Sequence, residues 1–161
     1  MSRSATADYG RAFGMGLIAG LRSLSAPALF SATASRQRPN HLARTPFDTL
    51  ASPRTAAVLG ALAVGEMVVD KLPKTPSRTI PPSVIFRALS GALIGAACCE
   101  DQGKPLATGA LLGALGAVAA TYGAYYLRQA VDHKSGLPDP VVALVEDAIT
   151  VGAGLGVMHG V

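Results

Sequence analysis

Charged residues stand inside apolar runs long enough to cross a bilayer, and this feature narrows the available folds more than any other. Five runs stand out. Residues 12–34 read AFGMGLIAGLRSLSAPALFSATA, with Arg22 in the middle and Pro27 just after it. Residues 55–72 read TAAVLGALAVGEMVVDKL, and residues 83–99 read SVIFRALSGALIGAACC, with Arg87 near the start. Residues 106–127, LATGALLGALGAVAATYGAYYL, carry no charge, whereas 140–161, PVVALVEDAITVGAGLGVMHGV, hold Glu146 and Asp147. A membrane-spanning helix needs about 20 apolar residues. The pattern predicts an all-α integral membrane bundle of about five helices, a single domain over residues 1–161, with the first helix broken near Pro27 because proline removes a backbone donor.

Composition supports this reading. Half of the 161 residues are hydrophobic, 15% are charged, glycine occurs 18 times and tryptophan is absent. A typical soluble domain is about 25% charged and relies on large aromatic side chains in its core. Small residues in apolar helices suit close packing in lipid instead. The spacings Gly16-xxx-Gly20, Gly91-xxx-Gly95, Gly109-xxx-Gly113 and Gly156-xxx-Gly160 predict tight bundle packing or a homodimer.

The net charge of +4 does not point to nucleic acid, because the basic residues fall mostly between apolar runs, where they set membrane topology. With five spans and the N-terminus inside, Arg3, Arg11, Lys71, Lys74, Arg78, Arg87, Arg128 and Lys134 fall on inner segments, against Arg36, Arg38, Arg44, Arg54 and Lys104 outside. The balance favours N-inside and a multi-pass inner-membrane protein, but it leaves the basic 35–54 loop on the wrong side. A re-entrant hairpin in the first segment would change that count. The remaining connections are a proline-rich loop at 73–82, a turn at 100–105 and a polar connector at 128–139. The N-terminal stretch has the outline of a secretory signal, yet Arg22 interrupts it, and it reads as a retained first helix. Pairing the first two segments with the last two suggests an inverted repeat of the transporter kind, with the third as spacer.

Adjacent Cys98 and Cys99 cannot bridge without strain and read as small apolar side chains. His41, His133 and His159 show no zinc spacing, and no phosphate loop, nucleophile elbow or dinucleotide fingerprint occurs. No cofactor, metal or catalytic group is expected.

The chemistry therefore rests on Arg22, Glu66, Asp70, Arg87, Glu146 and Asp147. A charge near the bilayer centre costs at least ~2.5–3.5 kcal/mol, so these groups must face protein, a partner charge or water. Glu66 and Asp70, four apart, share a helix face. The expected pairs are Arg22 with Glu146 or Asp147, and Arg87 with Glu66 or Asp70. Glu146 and Asp147 point about 100° apart, so one can meet Arg22 while the other meets a cavity.

Gly20-Leu21-Arg22-Ser23 with Ala26-Pro27, Gly65-Glu66 with Asp70-Lys71 and Pro73, Arg87 with Gly91-Ala92, and Glu146-Asp147 together resemble the bacterial membrane family called domain of unknown function 4126. The resemblance runs from about residue 10 to 160. It implies a small multi-pass membrane protein and supplies no catalytic residues. The sequence thus points to a transporter or channel for an ion or small solute. The competing readings are a membrane enzyme acting on lipid head groups, with Glu66 and Asp70 on a divalent metal, and a non-catalytic scaffold locked by ion pairs. The expected partners are the lipid bilayer, a solute and a second copy of the chain.

Overall fold

The first apolar run is two helices, not one. In the computed structural model, which describes residues 5–37, 39, 41–43, 45–70, 80–135 and 139–159, α1 spans Ala5–Leu21 and α2 spans Ser25–Gln37. The chain turns at Arg22–Leu24, before Pro27. Pro27 lies in the first turn of α2, where a missing N–H removes no intrahelical bond. The proline therefore fits the start of the second helix and does not itself make the break.

Four further α-helices follow. α3 is Pro53–Val69, started by Ser52, whose Oγ accepts from the Thr55 N–H at 3.2 Å. α4 is Pro81–Glu100, α5 is Leu106–Ser135 and α6 is Asp139–His159. α4 ends where Gly103 takes a φ of 65°, a conformation that costs glycine little. The Lys104 N–H then closes back on the Cys99 carbonyl at 2.8 Å. The expected polar connector after residue 127 instead continues α5 to Ser135. Its residues are mostly adequate helix formers, and the first breakers are Gly136 and Pro138. The 35–54 segment is also more ordered than its composition suggests. Thr45 caps a 3₁₀ turn at Pro46–Ala51, Leu42 is fully buried, and Phe47 and Leu50 pack on the core. All regular structure among the described residues is helical.

Glycine decides which helices touch. A Cβ placed on Gly91 or Gly95 would collide with the α5 backbone at Gly113 or Gly109, so α4 and α5 run antiparallel in close contact. A Cβ on Gly16 or Gly20 would collide with Gly113 or Ala117, so α1 lies parallel to α5. Three of the four small-residue spacings are thus used inside the chain, in an α1–α4–α5 core. Gly156 has open space around it, and Gly160 lies outside the described residues. Cys98 and Cys99 are buried free thiols, as expected of small apolar fillers, and Cys99 lies against Gly109.

α6 runs antiparallel to α1: Arg22 meets Asp147, Ile18 lies near Gly154, Val157 near Gly14 and Arg11 meets Met158. Leu29 of α2 also lies against Gly154, and Ala32, Thr33 and Arg36 share a small cavity with Leu155. α2 therefore returns alongside α6 while α1 advances, and α1–α2 is a helical hairpin with Arg22–Leu24 at its tip. This geometry does not fit the expected inverted repeat. α1 and α5 run the same way whereas α3 and α6 run opposite ways, so no single rotation relates the two halves.

The hairpin also brings the 35–54 segment to the end of the bundle that holds the start of α1 and the end of α6.

Beside an apolar core, the described residues bury several polar groups and expose many large apolar ones. Buried groups include Arg22, Ser25, Ser31, Arg87, Thr121, Asp147 and Thr150, whereas Val58, Leu62, Val64, Leu89, Leu111, Tyr126, Leu144 and Ile149 are exposed. Two helical segments, Pro81–Glu100 and Leu106–Leu127, are long and apolar enough to cross a membrane.

Candidate site at the tip of the α1–α2 hairpin

A turn between two helices leaves carbonyls unfilled at the end of the first and N–H groups unfilled at the start of the second. Here both sets are met by side chains from other helices. Glu66 of α3 accepts from the Ser23 N–H at 2.9 Å and the Leu24 N–H at 2.8 Å, one carboxylate oxygen for each, and also from the Ser23 hydroxyl. An anion at the N-terminal end of α2 agrees with the helix dipole. Arg87 of α4 donates through Nη1 to the carbonyls of Gly20 at 2.7 Å and Leu21 at 2.8 Å, placing a cation at the C-terminal end of α1. Its Nε reaches the Ser83 hydroxyl, one turn back on α4, at 3.4 Å.

Hydroxyls complete the turn. Ser90 donates to the Ser23 carbonyl. Thr121 of α5 donates to the Gly20 carbonyl at 3.2 Å and to its own helix at Ala117, 2.7 Å. Sequence reasoning missed Ser23, Ser90 and Thr121. The available signal was spacing: Ser90 follows Arg87 by three residues on α4, hence on one face.

Arg22 points into the bundle and is fully buried. Its Nη1 donates to Asp70 of α3, and its Nη2 lies 2.6 Å from Oδ1 of Asp147 on α6. The second contact is a close charge pair that lacks hydrogen-bond alignment. One guanidinium thus sits between two carboxylates from two different helices.

Five of the six residues singled out from sequence therefore meet in one place. Arg22 takes Asp147, as expected, and also Asp70. The expected partner of Arg87 is Glu66 or Asp70; here both Glu66 oxygens are engaged by the turn, Asp70 accepts from Arg22, and Arg87 donates to the α1 carbonyls. The backbone of Glu146 lies in α6, and its side chain lies outside the described residues.

A second polar group lies at the far end of α1. Arg11 pairs with Asp101 at 3.0 Å and donates to the Met158 sulfur at 3.6 Å, while Lys104 approaches Asp8 at 4.0 Å. No set of three metal-ligating side chains occurs among the described residues. A shared Glu66–Asp70 metal site does not fit this geometry, because Glu66 is spent on backbone N–H groups.

Chemically, the hairpin tip holds opposite charges in a buried, low-dielectric interior. No curated protein and no solved structure matches the chain. The chain belongs to the family described as Domain of unknown function (DUF4126), whose model matches residues 10–159.

Proposed function

We propose that this is a multi-pass membrane protein, of the bacterial inner membrane by its family resemblance, that moves an ion or small solute past the tip of the α1–α2 hairpin. The observation that carries this reading is the turn at Arg22–Leu24. It lies opposite Arg87, about 20 Å along α4 from Glu100, well inside the depth of an apolar helix. Irregular backbone at membrane depth is tolerated only where protein or a water-filled cavity covers it. Transporters build substrate sites from such interrupted helices. The many exposed large apolar side chains and the charges buried at the hairpin tip support membrane embedding of the whole bundle. The positive-inside rule, applied to Arg11, Arg36, Arg54 and Lys104 at one end, would place that end in the cytoplasm.

The test is flux in proteoliposomes, comparing wild type with Asp147→Asn and Glu66→Gln. Transport by the wild type that falls at least about tenfold in a folded Asp147→Asn protein supports the reading; a tenfold change is about 1.4 kcal/mol, within the worth of one charged hydrogen bond. Undiminished transport in Asp147→Asn removes the tip from the pathway.

A scaffold reading also has an observation in its favour: Arg22, Glu66, Arg87 and Asp147 each contact a protein group of opposite charge or dipole. It predicts that Arg22→Asp with Asp147→Arg folds where either change alone fails. Homodimerisation belongs to the proposal too, with Gly156 on the open side of α6.

A further inference from the structure

We propose that the Nε/Nη2 edge of Arg22, with the Ser25 hydroxyl, recognises the carboxylate of a small solute, which takes the place of Asp147. This deepens the transport reading by naming the chemistry its site would accept.

The argument starts from the fork. A guanidinium meets a planar carboxylate best along an edge of two nitrogens, through two parallel N–H···O bonds. Arg22 uses Nη1 for Asp70. Its Nε has no hydrogen-bond partner among the described residues, and its Nη2 touches Asp147 without donating along the N–H direction. That whole edge is buried, since Arg22 is 0% exposed. Buried donors left unfilled are uncommon and costly.

A second unfilled donor sits three residues away. The Ser25 Oγ has no hydrogen-bond partner among the described residues, and Ser25 is 2% exposed. It opens α2, a helix of 13 residues whose N-terminal end carries partial positive charge. The Arg22 edge offers only N–H donors, and the Ser25 hydroxyl beside it, near a positive helix end, can donate as well. They select an acceptor, and a metal cation or an ammonium group offers none.

Charge balance narrows the class. Around the tip, Arg22 and Arg87 face Glu66, Asp70 and Asp147. Two cations against three carboxylates already leave one excess negative charge in this set, and adding an anion would deepen it. Exchanging a monocarboxylate for Asp147 leaves the sum unchanged. Asp147 is the group able to leave, because it comes from α6. Glycine contacts close the α1–α4–α5 seams, whereas α6 meets the hairpin through Gly154, Val157 and the Arg11–Met158 contact. A divalent tetrahedral oxyanion would bring a second charge that neither Arg22 nor Arg87, already facing three carboxylates, offsets.

The experiment is thermal unfolding of the full chain in detergent, titrated with sodium acetate against sodium chloride and sodium sulfate at constant ionic strength. Acetate should raise the melting temperature saturably, and chloride and sulfate should not. Asp147→Asn should lower the half-saturating acetate concentration about tenfold, because it removes the internal competitor. Ser25→Ala should raise it at least about threefold, and Arg22→Lys, which keeps the charge and loses the fork, should abolish saturation. If Arg22→Lys fails to fold, the other two variants decide. The proposal falls if acetate and chloride act alike in both wild type and Asp147→Asn, as they would if a buried water filled these donors. It also falls if sulfate outcompetes acetate, or if Ser25→Ala titrates as wild type does. Acetate saturation without flux of any solute would remove the transport reading and leave this site. Solute flux with no acetate effect would do the reverse.

Discussion

Glu66 shows what a charged residue achieves inside an apolar bundle. Its carboxylate fills two backbone N–H groups that a helix start leaves open, and a hydroxyl besides. Glu66→Ala orphans all three and should destabilise the protein by about 2–5 kcal/mol, since each unsatisfied buried donor costs roughly 1–3 kcal/mol. Glu66→Gln keeps one acceptor oxygen but sets an amide NH₂ against a donor, and it should cost less, about 1–3 kcal/mol. Equilibrium unfolding in mixed micelles gives the order; equal stability of both variants and wild type would contradict the capping role. Thr121→Val keeps the shape and removes a donor to the Gly20 carbonyl, which Arg87 also serves. Its cost should be only about 1 kcal/mol. Glu66, Asp70 and Arg87 were legible in the sequence as charges that needed partners. Their actual partners were not, because a backbone N–H or carbonyl left open by a turn has no signature in residue identity.

At the scale of elements, glycine has two roles that one sequence pattern does not separate. Gly113 faces the backbones of both α1 and α4, so Gly113→Ala should force the core helices apart and cost about 1–3 kcal/mol or more. Gly65, on the exposed side of α3, has nothing within 4 Å of an added Cβ. Gly65→Ala should stabilise by up to ~1 kcal/mol through helix propensity alone. Opposite signs for the two substitutions in the same unfolding assay are the expected result, and a loss of stability in Gly65→Ala would mean that α3 has a close partner there. The same contrast explains the misplaced break. Proline is the visible helix breaker, yet Pro27 is accommodated in the first turn of α2 and the turn forms three to five residues earlier.

For the whole molecule, the hairpin fixes which segments share an end. Gln37 and Thr49 lie at the end with the start of α1, and Gln129 lies at the other. In a protein with Cys98→Ala and Cys99→Ala, single cysteines at Ala7, near the start of α1, and at Gln37 should react with a membrane-impermeant thiol reagent from the same side, and one at Gln129 from the opposite side. Labelling of Ala7→Cys and Gln37→Cys from opposite sides would refute the hairpin in favour of a single crossing by residues 12–34.

The sequence by itself determined the helical class, four of the segments to within a few residues at most ends, and that the charges inside its apolar runs needed partners. These follow from apolar run length and from the cost of a lone charge among apolar groups, and both are local properties. Only the tertiary structure decided that residues 12–34 double back, that Asp70 and Asp147 share one guanidinium, and that the edge of Arg22 beside Ser25 is left without aligned acceptors. Those outcomes depend on which helices approach closely enough to exchange partners, and that is set by the facing glycines of α1, α4 and α5.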